Sequence, residues 1–304
     1  MKVIEFYNYG SPGVLQLADR ERPEVGEGMV LVEVRAAGVN PADFNWRAGM
    51  FKTHAPLSFP HVLGYDIAGI VAAIGPGSSQ FAVGQQVFAM LNNYSMGGYA
   101  EFAVVPENML AAISDGLDFT AAAALPTAAL TGVQMIETQI GACRGDIILV
   151  TGACGAVGRF SVYAALERGA EVVAAVRAEQ RDEAMRIGAS NVIVLGKEDW
   201  TGARFDHVAD TVGGSAVAAL CQHLKPCGLI RTVSTAPIDP AGLHAEPVFF
   251  PVRPDATLLA SIGAAVASGK AAMPVARLLP LAEAAEAHRL VEQGGLGGKI
   301  VLTV

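Results

Sequence analysis

Hydrophobic and polar positions alternate in short runs through the first third of the chain. The runs 29–35, 67–74, 86–90 and 99–105 read as strands, rich in Val, Ile, Phe and Ala with frequent two-residue alternation. Gly26, Gly28, Gly38, Pro41, Gly75-Pro76-Gly77 and Gly97-Gly98 punctuate them, so this segment is expected to form a small, mostly β, barrel-like unit. Near Leu117 the pattern changes. Asp118-Phe119-Thr120 before an Ala-rich run reads as a capped helix start. Strand and helix then alternate: strands at 146–151, 171–176, 191–195, 205–209 and 228–233, helices at 155–168 and 179–187, the latter two closed by Gly169 and Gly188. Such alternation predicts an α/β fold with a doubly wound parallel sheet. Beyond Pro254 come helical patterns at 258–268 and 281–292 and a last strand at 299–304. The expected division is 1–118, completed by about 255–304, and 119–254.

Composition narrows the function classes. The 304 residues are 52% hydrophobic and 16% charged with a net charge of −8, which excludes a disordered chain. The acidic balance disfavours a nucleic-acid partner. Mean hydropathy is high, +0.40, yet a stretch such as 119–136 is built on Ala and interrupted by Pro126, short of the ~20 strongly apolar residues that a spanning helix needs. No basic-then-apolar leader follows Met1. Cys143, Cys154, Cys221 and Cys227 form no paired C-x-x-C spacing, so neither a disulfide framework nor a structural zinc site is expected. A reduced cytoplasm without membrane association is the expected setting.

The sharpest local signal is the run Ile147-Ile148-Leu149-Val150-Thr151 entering Gly152-Ala153-Cys154-Gly155-Ala156-Val157-Gly158 and then a helix. A dinucleotide site requires a tight turn at a strand end, no side chain where backbone meets pyrophosphate, and amides at a helix N-terminus. Gly152, Gly155, Ala156 and Val157 fall where those demands lie; the alternative is a tight turn in an unliganded sheet. The second strand ends not in an acidic residue but in Arg177, with Arg181 four residues on. Guanidinium groups there favour a 2′-phosphate and hence NADPH over NADH. Arg181, Asp182, Glu183 and Arg186 also suit a plain solvated helix face.

Several strings occur together and in order: Ala36-Ala37-Gly38-Val39-Asn40-Pro41-Ala42-Asp43, Gly64-Tyr65-Asp66-Ile67-Ala68-Gly69, Gly97-Gly98-Tyr99-Ala100-Glu101, the 152–158 loop, Asp210-Thr211-Val212-Gly213-Gly214 and Gly298-Lys299-Ile300-Val301-Leu302. The chain resembles, over nearly its whole length, the zinc-free quinone oxidoreductase (zeta-crystallin-like) branch of the medium-chain dehydrogenase/reductase superfamily. The resemblance implies a GroES-like catalytic domain, a Rossmann domain, and a C-terminal return to the first.

The zinc-dependent branch of that superfamily ligates its catalytic metal with Cys, His and Cys. Matching motifs, those positions carry Asn40, Tyr65 and Thr127 here, and amide, phenol and hydroxyl are poor zinc ligands. No catalytic metal is expected. The substrate must then accept hydride without Lewis-acid help, which points to a quinone or an α,β-unsaturated carbonyl whose oxyanion hydrogen-bond donors stabilise. The resemblance offers Asn40, Tyr65, Asn45 and Tyr94 as those donors, although Asn45 stands where relatives often carry Tyr, and Tyr65 and Tyr94 equally suit structural aromatics. Thr127 is expected to line the pocket floor, and it joins the cofactor set with Thr131, Thr211, Val212, Val233, Ser234, Phe250 and Lys299. Asp43 and Arg47 are expected to form an i,i+4 pair, and Asp66 to be structural. A Tyr that relatives carry near Leu195 for the adenosine phosphate is lacking. The alternatives are an enoyl-thioester or alkenal reductase on the same scaffold and a non-catalytic NADPH-binding protein. A homodimer is expected, with 248–252 as the pairing edge.

Overall fold

The computed structural model describes residues 1–92, 97–197, 200–202 and 204–304. In chain order the first elements are β1 (Lys2–Phe6), β2 (Gln16–Asp19), β3 (Met29–Val39), α1 (Pro41–Ala48), β4 (His61–Val62), β5 (Asp66–Ile74), β6 (Gln86–Met90), β7 (Phe102–Pro106), β8 (Leu110–Ala112), α2 (Phe119–Ala123) and α3 (Pro126–Gln134). There follow β9 (Ile147–Thr151), α4 (Ala156–Glu167), β10 (Glu171–Val176), α5 (Arg181–Arg186), β11 (Asn191–Val194), β12 (Phe205–Asp210), α6 (Gly214–Cys221), β13 (Leu224–Thr232) and β14 (Pro247–Phe249). The chain closes with α7 (Ala256–Ala267), β15 (Val275–Pro280), α8 (Ala284–Gln293) and β16 (Lys299–Thr303). No helix among the described residues is long and apolar enough to cross a membrane.

Two compact units result. One comprises Met1–Thr127 with Pro254–Val304, the other Ala128–Arg253. The first cut thus falls after residue 127, where the sequence pattern placed it after residue 118. The short helix α2 explains the difference. Its Ala122 and Ala123 are buried and it packs on β3 and β5, so it belongs to the β-rich unit.

In that unit β3 is the organising strand. It pairs antiparallel with β5, β7 and β16, in a sheet that runs β15-β16-β3-β5-β6-β8. Val30, Val32, Val34, Ile67, Val71, Val87 and Val105 form its core. A second antiparallel sheet, β2-β1-β4, completes the β content. The last strand matters for the chemistry: Ile300 stands opposite Val39, which sets Lys299 beside the end of β3.

The second unit is a six-stranded parallel sheet in the order β11-β10-β9-β12-β13-β14. Its strands read as continuous apolar runs, Val172–Val176 being wholly buried, as strands covered on both faces must. The order reverses between β9 and β12, the topological switch point at whose carboxyl ends ligands bind in such sheets.

Candidate active site

At the switch point β9 turns into α4 through the glycine loop. Gly152 has φ +62°, a conformation costly for any residue with a Cβ. A Cβ on Gly158 would overlap Gly152 O and stand 2.8 Å from the Ala153 Cα, so glycine lets the helix start lie against the loop. Gly155 caps α4 without a side-chain acceptor, and Arg159 N–H is the first to bond back, to Gly155 O at 3.0 Å. The amides of Ala156, Val157 and Gly158 are therefore left for an anion, as a helix N-terminus provides. This cradle fits a pyrophosphate.

A buried carboxylate ties three strand ends beside it. Asp210, with no exposure, accepts from Thr151 Oγ1 at 2.5 Å, Val212 N at 3.0 Å, Gly213 N at 2.9 Å and Thr232 Oγ1 at 2.6 Å. Thr211 is bound back to β9, donating from Oγ1 to Thr151 O at 2.8 Å. Ser234 Oγ donates to Val212 O at 2.7 Å. Thr211, Val212 and Ser234 thus converge with Gly152, and Val233 follows Thr232 at the end of β13. No role for Asp210 was visible in its sequence string, because four donors arranged around one carboxylate leave no trace in local pattern. Farther along, Arg181 and Lys197 line a cavity of about 570 Å³ that extends past Val194 to Ile147, Glu171 and Asn191 at the amino ends of β9, β10 and β11. Lys197, two residues past Leu195, was not among the expected residues. Arg177 is exposed and its Nε pairs with Glu179 at 3.0 Å. Thr131 is buried in α3, and Phe250 is 4% exposed while its neighbour Phe249 is 57% exposed. The Cys154 thiol, pushed up to about 11 by burial, is a small buried packing residue.

The β-rich unit holds a second polar cluster. Asn40, 2% exposed, donates from Nδ2 to Asp66 Oδ2 at 2.8 Å and accepts from Lys299 Nζ at its Oδ1. Lys299 Nζ also donates to Val39 O at 2.9 Å and lies 3.6 Å from Asp66 Oδ2. Thr127 donates to Asp66 Oδ1 from its backbone N at 2.9 Å and from Oγ1 at 2.6 Å. Burial raises the Asp66 carboxyl and lowers the Lys299 ammonium, while their mutual attraction opposes each shift. Tyr65 is 4% exposed and its phenol is raised mainly by burial, with the Trp46 side chain as a hydrogen-bond neighbour. Asn45 is half-buried on α1. Tyr94 lies outside the described residues.

Lys299, expected among the cofactor residues, has its ammonium bonded to Val39 and Asn40 and paired with Asp66 within the β-rich unit. One expectation is corrected here. Asp43 and Arg47 do not pair. Asp43 Oδ2 accepts from Asn40 N at 2.8 Å and Oδ1 from Gly64 N at 3.2 Å, which turns its carboxyl inward. Arg47, one turn on, reaches α8 instead, pairing with Glu292 and lying 3.3 Å from His288 Nδ1. Arginine is donor only, so that histidine nitrogen accepts and Nε2 carries the proton, 3.2 Å from Tyr99 OH. Tyr99 in turn bonds Asp43. A directed chain thus runs Arg47 to His288 to Tyr99 to Asp43, all four buried. Burial pushes the Asp43 carboxyl up to about 7 and the His288 imidazole down to about 3.

Comparison with known proteins agrees with this architecture. Residues 26–115 match the alcohol dehydrogenase GroES-like domain family and residues 187–302 the family described as zinc-binding dehydrogenase. A 2-methylene-furan-3-one reductase of Solanum lycopersicum is 31% identical over 99% of this chain and 79% of its own length. The chain belongs to the zinc-free quinone oxidoreductase branch of the medium-chain dehydrogenase/reductase superfamily. Another relative of this branch, an NADPH-dependent alkenal/one oxidoreductase of Arabidopsis thaliana, is likewise 31% identical over 99% of the chain and 79% of its own length. Among solved structures, the quinone oxidoreductase from Coxiella burnetii superposes with a TM-score of 0.89 at 28% identity, over 100% of this chain and 99% of that one. Asn40 and Thr127, two of the three positions that the resemblance matches to the metal ligands of zinc-dependent relatives, are hydrogen-bonded to Asp66.

Proposed function

We propose that the protein is an NADPH-dependent reductase that delivers hydride to a quinone or an α,β-unsaturated carbonyl without a catalytic metal. The observation that carries this reading is the donor set at the three positions where zinc-dependent relatives hold their metal. Two of them, Asn40 and Thr127, are hydrogen-bonded to the buried Asp66, and Asn40 also accepts from the Lys299 ammonium. Amide and hydroxyl groups are poor zinc ligands, and the fixed ammonium beside them opposes the approach of a divalent cation. An acceptor that spreads charge over a conjugated system is the chemistry left.

NADPH, when bound, supplies the hydride. The amides of Ala156, Val157 and Gly158 would hold its pyrophosphate, with Gly152 and Gly155 leaving room for close backbone approach. Thr211, Val212, Val233 and Ser234, at the strand ends that Asp210 ties together, would line the same site. Arg181 and Lys197, on one cavity, favour the extra phosphate of NADPH. In the β-rich unit Asn40 and Tyr65 supply N–H and O–H groups to a substrate oxygen as negative charge develops there. The names of the relatives, an NADPH-dependent alkenal/one oxidoreductase among them, support this reading.

NADPH oxidation against a quinone panel and an enone panel, each followed by absorbance, tests it. Turnover with at least one class is expected, with NADPH preferred over NADH. Tight NADPH binding with no turnover on either panel would refute the reductase reading in favour of a binding protein. The free thiols, two of them exposed, suit a reducing compartment such as the cytoplasm. The edge strand β14 exposes Val248 and Phe249, which supports a homodimer through that edge. Light scattering on the same preparation should give twice the 31.4 kDa chain mass; a monomer would sink that part.

A further inference from the structure

The amide of Asn40 has only one chemically allowed orientation. Its oxygen faces Lys299 Nζ and its nitrogen faces Asp66 Oδ2 at 2.8 Å. An ammonium has donors only, and an ionised carboxylate acceptors only. A flipped amide would set NH₂ against the ammonium and a carbonyl oxygen against the carboxylate, losing both bonds at once in a site where Asn40 is 2% and Lys299 5% exposed. Lys299 is itself fixed from two sides. The pairing of β16 with β3 sets its backbone beside the end of β3, and Val39 O accepts its second bond at 2.9 Å. Asp66 is fixed by Thr127 through two bonds. The consequence for Asn40 is specific: with one N–H committed to Asp66, what the amide has left to offer a substrate oxygen is its other N–H and never its carbonyl.

We propose that Lys299 is a positioning residue for the reduction, holding the Asn40 amide in the orientation that donates to the substrate oxygen. The inference rests on the reductase reading above and adds the residue that makes Asn40 a donor. Lys299 touches neither substrate nor reacting atoms. It acts through Asn40, and its positive charge strengthens that donor by drawing on the amide oxygen.

A merely structural role predicts something different. If Lys299 served only to neutralise Asp66, then removing both charges together would restore function. The test is therefore a set of four variants, K299M, K299R, D66N and the double variant D66N/K299M, each measured for kcat, for KM with the best quinone or enone, and for NADPH affinity by fluorescence. K299M relative to wild type, and the double variant relative to D66N, are each expected to lose about tenfold or more in kcat, the scale of one misdirected transition-state hydrogen bond, with NADPH affinity within about twofold of wild type. K299R, which keeps a donor-only cation, is expected to recover most of the lost kcat. Should K299M fail to fold with Asp66 unpaired, the double variant carries no buried charge at this spot and still decides. Wild-type kcat in the double variant overturns the proposal.

A second readout is independent of turnover. The Asn40 side-chain NH₂ resonances, assigned with N40A, should exchange slowly in the wild-type protein and in D66N, where Lys299 still holds the amide oxygen, and fast in the double variant, which differs from D66N only at position 299. Equal protection in D66N and the double variant overturns the proposal. If the wild-type protein turns over no quinone or enone, the reductase reading alone fails, and this measurement still tells whether Lys299 orders the amide.

Discussion

Asp210 is the residue whose replacement should separate geometry from charge in the cofactor unit. Its Oδ1 accepts from Thr151 Oγ1, Val212 N and Gly213 N, and its Oδ2 from Thr232 Oγ1. In D210N the amide oxygen can keep the three donors on one side. The new NH₂ then faces the Thr232 hydroxyl, which must turn round to accept. Shape and most bonds survive, and the loss is the charge assistance, about 1–2 kcal/mol. In D210A all four donors lose their acceptor. Each buried donor left unsatisfied costs about 1–3 kcal/mol, and water admitted to the gap recovers part, so about 3–5 kcal/mol is expected. Trp200 stacks on Phe205 of the same unit with ring centroids 5.6 Å apart, and the chain's one other tryptophan is Trp46. Urea unfolding followed by fluorescence in a W46F background therefore reads this unit. NADPH affinity should fall about two- to fivefold in D210N and at least tenfold in D210A, because the 211–213 backbone is oriented by this carboxylate. If D210A were destabilised by less than about 1 kcal/mol, the four bonds would not be what orders these strand ends.

Two further outcomes follow from the same structure. R181A and K197A are each expected to weaken NADPH about tenfold while leaving NADH unchanged, measured by titration with both cofactors; R177A, already paired with Glu179, should do so less, and a parallel loss for both cofactors would assign these residues to structure. The Asp43 carboxyl, raised by burial to about 7 in the folded chain from an ordinary 3.8, binds its proton more tightly folded than unfolded. Its contribution to stability is thus complete below about 3.8 and is lost as pH rises through about 7. Thermal unfolding should show the wild-type midpoint falling between pH 5 and pH 8 relative to D43N; parallel curves for the two proteins would refute the assignment.

What was legible in the sequence was whatever local periodicity and turn chemistry control. The run 147–151 into the glycine loop gave β9, the turn and α4, since a strand followed by glycines and a helix can satisfy its backbone in few other ways. Boundaries moved where packing overrode pattern. The strand expected at 29–35 extends to Val39, because β16 arrives from the far end of the chain to pair with residues 36–39. The helix expected at 281–292 gives α8 only from Ala284. The sheet β2-β1-β4 went unseen, as did α1, which starts at a proline directly after the Asn40 that caught attention for its chemistry.

The polar wiring was not legible at all, and the reason is electrostatic. Asp43 and Arg47 carry the spacing of a surface helix pair, worth about 0.5 kcal/mol when exposed. Burial changes the contest, because a buried charge must find partners at close range wherever in the chain they lie. Arg47 found His288, 241 positions away, and Lys299 found Asn40, 259 positions away. From sequence alone Lys299, which opens the last strand, is expected among the cofactor residues, with nothing to show that it is buried. Its burial is tolerable only because the end of β3 presents a carbonyl and an amide oxygen, and the start of β5 a carboxylate, within reach of one ammonium. Residue types at the site can therefore be named from motifs, but the direction in which each donates is set by folding, and for Asn40 that direction is what separates a hydrogen-bond donor from an acceptor.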